Sequence, residues 1–146
     1  MYDIVKVLHS YWAYLVLLVL LLATINALVK FFGKKEFHAK DFRISLFSLI
    51  VSHIQLLLGL VLYFVSPRMQ LWAESGMGGI MKDAVNRMYL VEHPLINIIA
   101  VALITIGYSK HKKKLTSTPK FKMLALFYTI ALVLYLSRIP WDAWPN

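Results

Sequence analysis

Histidine is the side chain with the widest chemical scope in this sequence, because its ring nitrogens bind transition metals and its charge changes near neutral pH. The chain has five, at positions 9, 38, 53, 93 and 111, and no cysteine, so thiolate metal sites, iron–sulfur clusters and disulfides are excluded. His38 and His111 stand among lysines, where a solvated imidazole is expected. His9, His53 and His93 stand inside long apolar runs, where an ionisable side chain is a functional candidate by default.

Depth and facing sort these three. His9 follows Asp3 and Lys6 and His93 follows Arg87, which puts each within roughly two helical turns of the same end of its segment. His53 is about 15–20 Å from either end of its own segment, near the middle. At about 100° per residue, His93 shares a face with Asn86, Tyr89, Asn97, Ala100, Ile104 and Gly107, with Asn97 one turn deeper. His9 shares a face with Trp12, Ala13, Val16, Leu20, Ala23 and Ala27. Such small-residue surfaces let a neighbouring helix or a flat ligand come close, so both histidines are expected to look inward.

Two imidazoles at one depth, approaching from opposite sides, are what axial ligation of a haem iron requires. Neighbouring helices about 8–10 Å apart leave no room for the macrocycle, whereas diagonal helices of a four-helix bundle do. His9 and His93 meet both conditions, which makes them the expected metal ligands and a haem the expected cofactor. The competing reading is that these groups are interhelical hydrogen-bond partners of Asn26, Asn97, Gln55 and Ser52. His53 is a candidate for proton relay, quinone contact or packing, or for ligation if its helix is displaced. Arg138, returning at the depth of the pair, is a candidate for a cofactor carboxylate or for interfacial snorkelling. Pro94 is expected to kink the helix at His93 or to start it there, freeing backbone groups either way. Ser45, Ser52 and Gly59, seven residues apart, form a seam expected to pack another helix. The run Ser75-Gly-Met-Gly-Gly is expected to be a flexible break, since neither a strand nor a glycine-lysine-serine step follows it.

The elements that must position these groups follow from composition. At 60% hydrophobic and 16% charged residues, with a mean hydropathy of +0.66, the chain is far from a soluble domain. Uncharged apolar stretches cover residues 7–29, 44–67, 94–109 and 123–137. With their flanks they predict membrane spans at about 7–30, 44–66, 90–109 and 122–139. The first is too long for a signal-peptide core and no small-residue cleavage site follows, so it is expected to stay in the mature protein. No internal repeat is present, and the simplest architecture is a single all-α domain, an integral membrane four-helix bundle running up-down-up-down.

Charge orients the bundle. The two ends where stretches one and two, and three and four, are joined carry eleven cations against Glu36 and Asp41, which is the whole net charge of +9; the opposite end is neutral. The positive-inside rule then places both termini outside, in the periplasm of a bacterial inner membrane. Tyr2, Tyr11, Trp12, Trp72, Tyr89, Trp141 and Trp144 gather toward that outer face as an aromatic belt. The basic loops serve topology and attraction to membrane lipid, and no nucleic-acid motif accompanies them.

The segments LHSYWAYLVLL at 8–18, DFRISLFSLIVSHIQLLLGLVLYF at 41–64, EHPL at 92–95, GYSKHKKK at 107–114 and SRIPWDAW at 137–144 resemble a small bacterial membrane family labelled cytochrome b-like. The resemblance covers nearly the whole chain. It implies a b-type haem and electron transfer, with axial ligands drawn from His9, His53 and His93. The chain is shorter than the two-haem b561 architecture and lacks its full set of paired histidines. The reading is a membrane haem b electron-transfer protein acting near the periplasmic face, with a quinone or another membrane subunit as partner and with quinone-linked redox activity left open. Its alternatives are a cofactor-free accessory or assembly subunit, and a proton or metal-ion pathway through Glu92, His93, Asn97 and His53.

Overall fold

The computed structural model describes residues 1–145, which form helices and turns with no strand among the described residues. Four helices are long and apolar enough to cross a membrane: α1 (Tyr2–Phe32), α2 (Ala39–Val65), α3 (Ala84–Lys113) and α4 (Ser117–Ser137). At 31 residues α1 is about 46 Å long and at 21 residues α4 is about 31 Å, against a hydrocarbon thickness of about 30 Å. The first three outrun their predicted spans, because the charged flanks continue the same helices into the polar layer. α1 packs against α2 and α4, and α3 packs against the same two. The helices therefore form a ring in chain order, with α1 diagonal to α3 and α2 diagonal to α4. This is the expected all-α, up-down-up-down bundle.

The core is built from small residues that bring the helices close and large ones that fill the remaining space. Ala23, Ala27, Ala100 and Ala131 are buried beside Leu20, Ile104, Phe121, Leu124 and Tyr128. At Gly107 of α3 a Cβ would stand 2.5 Å from the Cβ of Phe127 on α4, so the two backbones meet at a point only glycine allows. Leu18, Leu57, Phe64 and Val133 face outward, where lipid would cover them.

The basic end departs from expectation in two places. Asp41, read as a loop acid, lies in the first turn of α2 and is 1% exposed. It accepts from Lys30 Nζ at 2.7 Å, Asn26 Nδ2 at 2.8 Å and the His38 backbone N–H at 2.8 Å, which fastens α1 to α2. A buried carboxylate persists only with this much compensation. His111, expected to be solvated, is fully buried. Its ring is enclosed by Phe37, Phe42 and Tyr108, and its Nδ1 donates to the Tyr108 carbonyl. Its neighbours Lys110, Lys112, Lys113 and Lys114 are exposed, while α3 turns the imidazole toward the loop between α1 and α2. His38 is exposed, as expected.

The serine seam of α2 packs inward as read, and it contains more than the sequence spacing caught. Ser45, Ser48 and Ser52 are all buried, and Tyr128 of α4 donates to the Ser45 carbonyl at 2.8 Å. The segment between α2 and α3 is not the flexible break expected. It holds three short helical turns, Pro67–Gln70, Leu71–Glu74 and Gly76–Lys82. Gly76, at φ +68°, supplies the reversal that starts the last of them.

Pro94 neither starts α3 nor removes His93 from helical conformation, since His93 has φ −62° and ψ −51°. The helix absorbs the proline by a π-turn over Met88–Glu92, in which the His93 N–H bonds to the Met88 carbonyl. Proline has no N–H to give the Leu90 carbonyl four residues back. That carbonyl is served instead by the Tyr63 hydroxyl at 3.0 Å, which itself accepts from Trp72 Nε1 at 2.9 Å. The freed backbone group expected near His93 thus exists, and α2 supplies its partner.

A histidine pair across the bundle diagonal

His9 of α1 and His93 of α3 meet at the end of the bundle that carries the N-terminus with ring centroids 6.2 Å apart and planes at 86°. The matched depth and diagonal placement read from the sequence are both present. Gly59 of α2, the outermost member of the seam, lies directly beside His9, where a Cβ would stand 3.1 Å from His9 Cε1. Any larger residue at 59 would press on the imidazole. Gln55, one turn deeper, donates Nε2 to the His9 carbonyl at 2.9 Å, and Trp12 donates Nε1 to the Val51 carbonyl at 2.8 Å. Trp12 thus ties α1 to α2.

The two imidazoles are held differently. His93 Nδ1 lies 2.7 Å from the carbonyl of Arg138, just past the end of α4. A carbonyl only accepts, so Nδ1 carries the proton and Nε2 presents its lone pair. This is the support that fixes tautomer and ring orientation in metal-ligating histidines. Asn97, one turn deeper on α3, places Nδ2 3.0 Å from that Nε2. His9 Nδ1 is buried with no hydrogen-bond partner.

Arg138 and His53 take roles narrower than the sequence offered. The Arg138 guanidinium pairs with Glu92 at 3.1 Å, and Glu92 also receives Arg87 at 2.6 Å. The Arg138 side chain is spent on this network, and its contribution to the histidine comes through its main chain. His53 donates Nδ1 to the Leu49 carbonyl at 2.8 Å and faces the Thr105 hydroxyl of α3 with Nε2 at 3.3 Å. It joins α2 to α3 deeper in the bundle and stands apart from the pair. Asn86, read on the His93 face, instead accepts from Arg68 Nη1 at 2.7 Å. The π-turn lies between the two positions, and a constant angle per residue does not carry across it.

A metal ion held by two imidazole nitrogens at about 2 Å each places the ring centroids about 6 Å apart, which is the spacing found here. Two imidazoles alone do not satisfy a tetrahedral ion, and no group of three or more His, Cys, Asp or Glu gathers among the described residues. His9 and His93 could instead help to hold an iron that brings its remaining ligands with it. Two shallow surface grooves lie on the basic half of the molecule, and neither touches His9 or His93. No family model, curated protein or solved structure matches the chain.

Proposed function

We propose that the chain is a membrane haem b protein that transfers electrons, with His9 and His93 as axial ligands. The observation that carries this reading is the pair itself: two imidazoles from diagonal helices, one metal's width apart, with the His93 proton held on a carbonyl so that Nε2 presents its lone pair, which Asn97 Nδ2 meets at 3.0 Å. The buried, unpartnered Nδ1 of His9 suits a ring whose bonding is completed by something other than protein. Gly59 lets the His9 ring lie against the α2 backbone, and Asn97 holds the place beside His93 Nε2 that a ligand would take over. The bound group would supply a reversible one-electron change. The chain supplies ligation, a low dielectric and, through Glu92, Arg87 and Arg138, a charged boundary at the outer face. The resemblance to cytochrome b-like membrane proteins points the same way, and a quinone or another membrane subunit is the partner this reading implies. The charge asymmetry supports a bacterial inner membrane with both termini in the periplasm.

A second reading is favoured by the polar bonds between helices. His53 to Thr105, Gln55 to the His9 carbonyl and Asn97 to His93 satisfy one another without a cofactor, as they would in an accessory subunit whose polar groups specify packing. The absorption spectrum of protein purified from haem-replete cells separates the two. The first reading expects a low-spin reduced-minus-oxidised spectrum that His9→Ala and His93→Ala each abolish or convert and that His53→Ala leaves intact. Loss of the signal with His53→Ala but not His9→Ala moves the ligand pair to α2 and α3, and a colourless protein leaves the accessory reading.

A further inference from the structure

On the basic half of the bundle, away from the His9–His93 pair, α1 and α2 border a shallow, open groove of about 400 Å³ lined by Val19, Leu22, Ile44 and Phe47, with Lys40 and Arg43 at its mouth. On α2 the spacing 40, 43, 44, 47 places the two cations and two apolar residues on one helical face, cations toward the helix end. That face is about 100° from the buried stripe of Asp41, Ser45, Ser48 and Ser52. Val19 and Leu22 on α1 lie 13 and 10 residues before Phe32, about 15–20 Å into the apolar layer. The groove therefore runs from a charged mouth near the membrane boundary into hydrocarbon depth.

The charges at its mouth are uncommitted. Lys30 is taken by Asp41, Lys120 lies on the Phe37 ring and the His111 carbonyl, and Lys112 lies over Tyr108. Lys40 and Arg43 are exposed and have no hydrogen-bond, ion-pair or ring partner among the described residues. Two free cations three residues apart above an apolar slot match an anionic phosphate joined to an acyl chain. We propose that this groove is a binding site for one anionic phospholipid, its phosphodiester between Lys40 and Arg43 and a chain along Ile44, Phe47, Leu22 and Val19. A zwitterionic lipid fits the slot but brings its own cation to the mouth, so selectivity comes from the headgroup.

Native mass spectrometry of protein released from nanodiscs of phosphatidylcholine mixed with phosphatidylglycerol tests this directly. One retained phosphatidylglycerol per chain is expected, and the preference should fall roughly 30-fold in K40Q/R43Q, at the attraction usual for a basic residue near an anionic surface. K113Q/K114Q removes the same charge from the other basic loop and should keep the lipid. A Phe47→Trp reporter then gives position: brominated phosphatidylglycerol should quench it at a lower mole fraction than brominated phosphatidylcholine, and K40Q/R43Q should abolish the difference. Equal retention of both lipids, or equal loss in the two double variants, reduces the effect to diffuse attraction and overturns the site. Failure of any brominated lipid to quench the reporter indole, whatever covers the groove instead, overturns it as well.

Discussion

Tyr63→Phe combined with Pro94→Ala isolates the strain that shapes the approach to His93. In the native chain the Leu90 carbonyl has lost its helical donor to Pro94 and depends on the Tyr63 hydroxyl at 3.0 Å, in a residue only 4% exposed. Removing that hydroxyl leaves a buried carbonyl unpaired, a loss of about 1–3 kcal/mol, and also strands the Trp72 indole N–H. Trp72 is only partly buried and can turn toward water, so its share is the smaller. Alanine at 94 restores an N–H one turn after Leu90, and the tyrosine becomes redundant for the carbonyl. Tyr63→Phe should therefore cost about 1–3 kcal/mol in the native background but under about 1 kcal/mol beside Pro94→Ala. The assay is reversible unfolding in mixed micelles, read as a double-mutant cycle. Equal cost of Tyr63→Phe in both backgrounds would refute the link between the proline, the π-turn and the tyrosine.

The remaining predictions concern the bundle at large. Asp41→Ala should destabilise by about 3–5 kcal/mol in the same assay because it leaves Lys30, Asn26 and the His38 N–H without an acceptor, and Lys30→Met should recover part of the loss. Gly107→Ala should cost about 1–3 kcal/mol by forcing α3 from Phe127, whereas Gly78→Ala, with nothing within 4 Å of its new Cβ, should show no such clash. His111→Ala should destabilise by about 2–4 kcal/mol through its lost ring contacts and His38→Ala by under about 1 kcal/mol, as judged by thermal aggregation onset. A periplasm-active reporter fused after Asn146, which lies outside the described residues, should be active and one inserted near Lys113 silent; the reverse pattern overturns the orientation.

Most of the architecture was legible in the sequence because the membrane enforces it. Lipid leaves helices as the workable backbone solution, and apolar run lengths then give their number and order. The pair His9 and His93 was legible for the same reason: depth is counted from charged boundaries, and a ring of four helices fixes which are diagonal. What escaped the sequence depends on a partner far along the chain. Asp41 and His111 sit among basic residues, and their burial follows from Asn26, Lys30, Phe37 and Phe42 folding over them. The facing of Asn86 escaped because the π-turn inserts extra rotation that no periodicity count foresees. Arg138 drew attention as a charge, yet the atom that meets His93 is its backbone oxygen, which every residue possesses.

That last feature changes what kind of mutation the protein can feel. The orientation of the His93 imidazole is set by where α4 stops, since the carbonyl it needs is the first beyond Ser137. For that contact nearly any letter at 138 would serve, and a substitution there would be felt only through the side chain's pair with Glu92. Inserting or deleting one residue within α4 would instead move that oxygen by about 1.5 Å along the axis and about 100° around it. The information sits in a count of residues rather than in their identities, so the chain should accept many spellings of its fourth helix and very few lengths.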